Sequence, residues 1–288
     1  MAVDWGSTNR RAFAINGDGA VVGRMRDDKG VIAVAPGGFP AAVAEIRETL
    51  GALPMILAGM IGSTRGWIEA PYLDCPLDLN GLAAGLHAIP DQDCFIVPGL
   101  RDLGDGRADV MRGEEVQLLG AIAAGLAEAD GLAALPGTHA KWVRTQGGAI
   151  TRFHTTITGE LFSLLRGNGI LASHLTAQPC FGPAFVEGVE RARRRAPLTD
   201  LFHVRAGPLL GVLTVEDASS YASGLLIGSD VLSGLDLIDG DEPVALIGAP
   251  ALTRLYAETL RAFGRESRAI DGDEAFLAGM TALARHLP

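Results

Sequence analysis

A short pattern of strands and turns occurs twice in this chain. The first copy runs from Val3 to Val22 and the second from Leu135 to Ile150. In each, an apolar segment leads into a turn with glycine and serine or threonine, and two more apolar segments follow. The phosphate turn of a Rossmann unit or a P-loop leads into a helix. In this chain a strand follows the turn, which excludes both folds. The duplication predicts two half-sites that face each other across a cleft.

The remaining chain predicts alternating strands and helices. Short apolar runs predict strands at 2–5, 11–15, 20–26, 55–58, 94–97 and 243–247, with a hairpin turn at Asn16-Gly17-Asp18-Gly19 because Gly and Asn tolerate positive φ. Apolar periodicity predicts helices at 39–50, 114–128, 159–166, 183–194, 219–235, 251–263 and 273–286. Residues 66–81, rich in Pro and Gly, predict a loop. We expect a domain boundary near residue 108, giving domains 1–107 and 108–288.

Composition limits the classes of partner. A chain of 288 residues with 48% apolar residues can bury the cores of two domains. Its net charge of -10 and pI near 5.1 argue against nucleic acid and anionic membranes, which need a basic face. No apolar run is long enough to span a bilayer. Three cysteines, without metal-ligand spacing or a leader segment, favour a reducing cytoplasm.

The first turn has the groups that bind phosphate. Asp4 ends the first strand, where a carboxylate can hold Mg²⁺ through water. The turn after it points backbone N–H groups and hydroxyls at one spot. An ordinary turn remains the alternative for this copy alone. The expected phosphate-binding residues are Gly6, Ser7 and Thr8, with Arg10 or Arg11 as the cation.

The second copy repeats those roles and strengthens the interpretation. Gly137, Thr138 and Lys141 take the places of the glycine, the hydroxyl and the cation, and His139 adds a donor. Further along, Gly248 and Ala249 lie between a buried strand and a helix. They would let the backbone pass close to an adenine base, or simply allow close packing of the helix on the strand.

A carboxylate at the start of a helix could act as a general base. Glu114 and Glu115 follow Arg112-Gly113, and a carboxylate there could take the proton of an attacking hydroxyl. Both acids also suit the positive end of a helix dipole. Asp109 is a second candidate base, with helix capping as its alternative role.

A glycine-rich segment after the strand at 55–58 is a candidate substrate site, because ligands gather at the carboxyl ends of strands. Arg65 could clamp a carboxylate with its planar fork, and Trp67 could form a wall. A surface arginine and a core-edge indole are the alternatives. The candidate substrate residues are Gly62, Ser63, Arg65, Trp67 and Arg112.

Five segments together resemble the 2-dehydro-3-deoxygalactonokinase family of the sugar kinase, Hsp70 and actin superfamily. They are 3–11, 59–63, 111–115, 135–143 and 158–162. The resemblance covers essentially the whole chain and implies an α/β fold with two ribonuclease-H-like (actin-like ATPase) domains that flank a nucleotide cleft. It implies ATP-dependent, Mg²⁺-assisted phosphorylation of 2-dehydro-3-deoxygalactonate at the C6 hydroxyl, in galactonate breakdown.

The resemblance also assigns roles. Asp4, Gly6, Ser7 and Thr8 correspond to the superfamily's first phosphate motif, and Gly137 with Thr138 to its second. Related sugar kinases place a catalytic Asp where this chain has Glu114, so Asp109 stays a candidate for the base. A homo-oligomer is left open.

Three other functions compete with this one. The chain could phosphorylate another sugar or sugar acid, it could be an actin-like ATPase that no sugar stimulates, or it could be a phosphatase of the same superfamily. The absence of the large insertions that filament and chaperone modules carry disfavours the second.

Overall fold

The computed structural model describes residues 1–17, 19–236 and 241–287. The strands are β1 (Ala2–Trp5), β2 (Arg10–Ile15), β3 (Val21–Asp27), β4 (Met55–Gly59), β5 (Tyr72–Asp74), β6 (His87–Ile89), β7 (Cys94–Ile96), β8 (Gly99–Asp102), β9 (Asp109–Met111), β10 (Gly131–Leu135), β11 (Ala140–Gln146), β12 (Ala149–Thr156), β13 (Val244–Gly248) and β14 (Ser267–Asp271). The helices are α1 (Phe39–Leu50), α2 (Leu79–Ala84), α3 (Glu114–Ala123), α4 (Thr158–Gly167), α5 (Pro183–Ala192), α6 (Pro197–Asp200), α7 (His203–Leu210), α8 (Val215–Leu235), α9 (Pro250–Ala262) and α10 (Gly272–Ala284).

Every strand and helix predicted above is present, and two predictions are corrected. The helix expected at 114–128 ends at Ala123, because Gly125 takes a positive φ of 69° and turns the chain. The loop expected at 66–81 contains β5, which pairs in parallel with β8, and the start of α2. Of the predicted hairpin turn at 16–19, Asp18 lies outside the described residues.

The chain forms two compact units, each assembled from separate stretches. The first comprises Met1–Asp130, Thr145–Phe153 and Gly272–Pro288, and the second comprises Gly131–Arg144 and His154–Asp271. Helix α3 thus belongs to the first unit, although it follows the boundary near residue 108 that the sequence suggests. The predicted boundary separates two continuous stretches of sequence, 1–107 and 108–288, and it stays a prediction.

The core of the first unit lies on a six-stranded sheet with the order β3-β2-β1-β4-β7-β6. Strands β1, β4 and β7 are parallel neighbours, so their carboxyl ends share one edge. Trp5, Leu57 and Ile96 from these strands are fully buried with Val43 and Ile46 of α1. Such apolar burial is the main source of stability, and it fixes the strand ends that carry the candidate residues.

Helices α3 and α10 of the first unit cross at glycines. A Cβ atom added to Gly120 would lie 2.3 Å from the backbone nitrogen of Gly279, and one added to Gly279 would lie 2.2 Å from the carbonyl oxygen of Val116. Only glycine allows this approach. Helix α10, late in the chain, therefore supports the helix that begins at Glu114.

The second unit has a five-stranded sheet with the order β12-β11-β10-β13-β14. In both sheets, three consecutive strands lie side by side and the first of them pairs in parallel with a later strand. The repeat detected in the sequence is therefore confirmed as a repeat of topology. In the part of the chain that the structure describes, no helix combines the length and the apolar character that crossing a membrane would need.

Candidate active site

The first turn, after β1, presents a row of backbone donors. The N–H groups of Ser7, Thr8 and Asn9 donate no hydrogen bond to any described residue, and the turn is partly exposed. Its carbonyl groups are used instead, since Thr8 O accepts from Gly30 N at 3.2 Å. Successive N–H groups that face solvent form a concavity suited to an anion.

The second turn, after β10, has the same arrangement. The N–H groups of Gly137, Thr138 and His139 have no acceptor among the described residues, and Thr138 O accepts from Glu160 N at 2.9 Å. A glycine backs each turn. A Cβ atom on Gly30 would lie 2.3 Å from Ser7 O, and one on Gly159 would lie 2.4 Å from Gly137 O. Neither glycine could be predicted from local motifs, but each follows its turn by about 20 residues in both copies of the repeat.

Two cations near these turns are already paired. Arg10 is only 1% exposed, bonds Asp27 at 2.6 Å and Glu45 at 3.1 Å, and lies over the ring of Trp5. These contacts hold its guanidinium in the interior, and the phosphate role of Arg10 stays a prediction. Arg11 instead contacts the Asp4 carboxylate.

Asp4 keeps one carboxylate oxygen open. Arg11 donates to Oδ2, with its Nε at 3.1 Å, whereas Oδ1 has no donor among the described residues. A Cβ atom added to Gly59, at the end of β4, would lie 3.3 Å from that Oδ1. The strand ends of β1 and β4 thus leave a carboxylate oxygen beside bare backbone.

The start of α3 is close to this carboxylate. A Cβ atom on Gly113 would lie 3.5 Å from the Cα of Gly59, and Gly113 takes a positive φ of 112°. Gly59, without a side chain, therefore lies between Asp4 and Gly113, the residue that precedes Glu114. This brings Glu114, one of the two candidate bases, to the strand end where Asp4 lies.

The two glutamates of α3 differ in environment. Glu114 is half-buried and accepts from Arg112 N at 3.2 Å. Glu115 is fully buried, and both of its oxygens lie within 2.8 Å of Gly113 N. Burial, with the adjacent charge of Glu114, raises the pKa of Glu115 to about 8. Glu115 therefore keeps its proton at neutral pH.

Asp109, the other candidate base, lies in β9 opposite Asp102, and its carboxylate accepts from Val110 N at 2.8 Å. It precedes the start of α3 by five positions in the sequence. The helix capping considered for it is not what the structure shows, since the residue is within a strand.

The candidate substrate residues fall into two groups. Trp67 stacks on Phe39 with ring centroids 6.2 Å apart and packs against the core, and Ser63 Oγ donates to Met60 O at 2.7 Å. Arg65 is exposed. Gly62 is buried against Arg112, because an added Cβ atom would lie 2.7 Å from Arg112 Nη1.

Arg112 has unsatisfied hydrogen-bond donors. Its guanidinium lies over the ring of Tyr72 at 4.4 Å, and Nη2 donates to Ala70 O at 2.8 Å. Its Nε and Nη1 atoms are shielded from solvent and have no partner among the described residues. A shielded cation with free donors is costly, so an anion that reached it would be bound favourably.

The second unit contains an apolar cavity that sequence reasoning missed. It has a volume of about 220 Å³ and begins beside Gly137 of the second turn. Its walls come from three helices and a loop, which is why no local motif reveals it. The lining residues are Gly137, Thr158, Gly159, Phe162, Gln178, Pro179, Ser223, Leu226, Ile227, Ala251, Leu252, Leu255 and Tyr256.

The remaining predicted residues lie near the second turn or next to a helix that lines the cavity. Gly248 and Ala249 precede α9, which lines the cavity. Lys141 is 4% exposed and donates to His139 O at 3.2 Å. The His139 ring lies 2.6 Å from the Glu160 carboxylate. Among the described residues there is no cluster of three or more side chains that could hold a metal ion by themselves.

Comparisons with known proteins find relatives that match nearly the whole chain. A 2-dehydro-3-deoxygalactonokinase of Escherichia coli strain K12 is 40% identical over 290 residues, covering 99% of this chain and 97% of the relative. A crystal structure from Sinorhizobium meliloti, described as a candidate 2-dehydro-3-deoxygalactonokinase, is 38% identical with a TM-score of 0.92, covering 99% of this chain and 97% of the other.

More distant structures share the fold alone. Component A of an Acidaminococcus fermentans (R)-2-hydroxyglutaryl-CoA dehydratase is 11% identical, with a TM-score of 0.56 over 99% of this chain and 97% of the other. The predicted fold class, with two ribonuclease-H-like domains, is confirmed. The family model described as 2-keto-3-deoxy-galactonokinase matches residues 4–283. This chain therefore belongs to the 2-keto-3-deoxy-galactonokinase family of kinases.

Proposed function

We propose that this protein phosphorylates 2-dehydro-3-deoxy-D-galactonate at its C6 hydroxyl with ATP, giving the 6-phosphate and ADP in D-galactonate catabolism. Family membership supports the substrate and the reaction. The observation that carries the use of a polyphosphate is the pair of turns, each with three successive N–H groups that lack an acceptor among the described residues.

The turns bind phosphate oxygens in this proposal. Ser7, Thr8 and Thr138 add hydroxyl groups to the backbone donors, and His139 is held by Glu160 at the edge of its turn. Phosphoryl transfer needs alignment and charge stabilisation more than covalent chemistry. Preorganised N–H groups provide both without rearranging during the reaction.

Asp4 is the proposed Mg²⁺ residue. Its Oδ1 has no donor among the described residues, and Mg²⁺ is commonly bound by one or two carboxylates together with substrate phosphates and water. A single open carboxylate therefore fits this ion. When bound, the ion would supply charge neutralisation at the phosphates.

Glu114 is the proposed base. It would accept the proton of the C6 hydroxyl as the oxygen attacks, while the bond from the terminal phosphorus to its bridging oxygen breaks and ADP leaves. Neutral Glu115 avoids a second negative charge at this site, which would repel the phosphates. Two variants distinguish the candidate bases. Loss of turnover in Glu114→Gln supports Glu114, whereas loss of turnover in Asp109→Asn alone would make Asp109 the base.

Arg112 is proposed to bind the substrate carboxylate. The carboxylate would satisfy the guanidinium atoms that now have no partner among the described residues, and a bidentate pair is the strongest geometry for this contact. The guanidinium must turn toward the substrate, because those atoms are shielded from water. Exposed Arg65 would attract the anionic substrate to the site.

The apolar cavity of the second unit is the proposed site of the adenine base. Purine rings favour mostly apolar pockets with a few polar groups, and this cavity begins at Gly137 of the phosphate-binding turn. Gly248 and Ala249 lie at the start of α9, one of its walls.

An ADP-release assay tests the function. We expect turnover with 2-dehydro-3-deoxygalactonate, weaker turnover with its gluconate epimer, and little without sugar acid. Arg112→Lys keeps the charge but loses the fork, so we expect KM for the sugar acid to rise about tenfold or more. Arg101→Lys is a matched control, since Arg101 pairs with Asp74 at an exposed position. ADP release that no sugar acid stimulates would refute the proposal and favour an ATPase module.

We also propose that the protein works in the cytoplasm on small anionic ligands. All three cysteines are free thiols, which agrees with the cytoplasm as the proposed compartment. The net charge of -10 supports small anionic ligands held by placed cations rather than nucleic acid.

A further inference from the structure

One buried carboxylate of the second unit has no role in the function proposed above. Asp230 lies in α8 and is 3% exposed. It has no ion pair with any residue in the described ranges. An ionised carboxylate is costly to bury unless hydrogen bonds compensate it, so its partners indicate what it does.

Asp230 accepts hydrogen bonds from three separate elements. Trp142 Nε1 of β11 and Thr156 Oγ1 of β12 donate to Oδ1 at 2.8 and 2.9 Å. The hydroxyl of Tyr256 in α9 donates to Oδ2. Burial, followed by the charge of Asp230, raises the pKa of Tyr256 well above its usual value, so the phenol remains a donor. We call Asp230, Trp142, Thr156 and Tyr256 the Asp230 network.

The Asp230 network reaches the wall of the apolar cavity. Tyr256 lines the cavity, and so does Thr158, whose Oγ1 donates to Thr156 Oγ1 at 3.1 Å. Thr158 precedes Gly159, the residue that backs the second turn. Two hydrogen bonds and one peptide unit therefore link Asp230 to Gly159, which packs against the turn that is proposed to bind phosphate.

Packing holds α8 in register with this network. Gly234, one turn after Asp230, lies so close to the indole of Trp142 that an added Cβ atom would be 2.0 Å from the ring. The indole is thus fixed by its ring face and by its N–H group together. Apolar residues would stabilise such a core at least as well as a buried charge does, so stability alone does not account for the carboxylate.

We propose that Asp230 is a positioning residue for nucleotide binding, which orients Tyr256 and the Thr158–Gly159 segment so that the cavity and the second turn take one nucleotide together. The inference rests on the proposed function for the identity of that nucleotide. It assigns Asp230 no contact with the substrate.

Direct binding separates this role from a structural one. The dissociation constant of a non-hydrolysable ATP analogue is measured by calorimetry for the wild type, Tyr256→Phe and Asp230→Ala. We expect it to rise about tenfold for Tyr256→Phe, which loses one hydrogen bond of the cavity wall, and by at least about tenfold for Asp230→Ala, which loses three. KM for the sugar acid should change by less than about twofold. Asp230→Asn should restore most of the affinity, because the amide oxygen still accepts from Trp142 and Thr156 and its NH₂ can donate to Tyr256.

Tyr221→Phe is the matched control. Tyr221 is also fully buried in the second unit, but its hydroxyl donates to the Asp200 carbonyl and it does not line the cavity. We expect it to lower the melting temperature without weakening nucleotide binding. The inference is overturned if Tyr256→Phe, while folded, binds within about twofold of the wild type, or if Tyr221→Phe weakens binding equally. A wild type that binds the analogue but does not phosphorylate the sugar acid refutes the proposed function alone, and one that binds no analogue refutes both.

Discussion

Replacing Gly159 with alanine tests whether the second turn is held in place by the helix behind it. The added Cβ atom would lie 2.4 Å from Gly137 O and 2.8 Å from Thr138 Cα. Both are backbone atoms, so no side chain can swing away to relieve the clash. Either the turn or the start of α4 must move.

The size of the movement sets the expected loss of rate. An ordinary contact begins at 3.4 Å, so the turn and helix must separate by roughly 1 Å. A misplacement of about 1 Å at a reacting group lowers rates by about 10²-fold. That corresponds to about 2.7 kcal/mol of transition-state stabilisation. We expect kcat/KM for ATP to fall by this factor.

The assay is steady-state ADP release with saturating sugar acid, with thermal unfolding measured on the same samples. Gly167→Ala is the control, because Gly167 ends the same helix and an alanine there meets nothing within 4 Å. It should leave kcat/KM unchanged and not lower stability. A folded Gly159→Ala enzyme with kcat/KM within about threefold of the wild type would refute the reasoning.

Further predictions concern charges and thiols. Asp4→Ala abolishes turnover in the ADP-release assay through lost Mg²⁺ positioning, and near-normal activity would remove Asp4 from the site. Glu114→Gln lowers kcat far more than it changes KM for the sugar acid in the same assay; a change in KM alone would contradict its role as the base. Because burial raises the pKa of Glu115 to about 8, the folded state holds a proton that the unfolded chain releases near its usual pKa of 4.5. The wild type should therefore lose stability relative to Glu115→Gln as pH rises from about 4.5 to about 8. A difference in melting temperature between the two proteins that stays constant over this pH range would contradict this. Iodoacetamide should label exposed Cys180 before Cys75, since burial raises the pKa of the Cys75 thiol to about 12. Peptide mapping that shows Cys75 labelled first would contradict the exposure of Cys180 and the burial of Cys75.

The duplicated turns could be predicted from sequence because they are local. Strand, turn and hairpin signals lie within about 20 residues in each copy, and short-range patterns suffice to place Ser7 and Thr138 on equivalent turns. The start of α3 at Glu114 was equally local, since two acids and an apolar period mark it.

The residues that escaped prediction depend on contacts between distant segments. The cavity wall combines α4, α8 and α9, and the backing role of Gly30 and Gly159 appears only when the backbone is folded against each turn. Arg10 follows the first turn in the sequence, which suggests a phosphate ligand, and that role stays a prediction. Arg10 is buried with Asp27 and Glu45, and these contacts between distant residues cannot be predicted from the spacing of residues around the turn.

The crossing of α3 and α10 has a consequence for how the chain matures. The two helices are separated by roughly 150 residues of sequence, yet α3 has its glycine face covered only when α10 packs on it. During synthesis, α3 therefore leaves the ribosome before α10. Its apolar surface stays exposed until the residues after 271 have been synthesised. Premature termination before that point would yield a polypeptide that contains every proposed catalytic side chain but lacks the support for one of them.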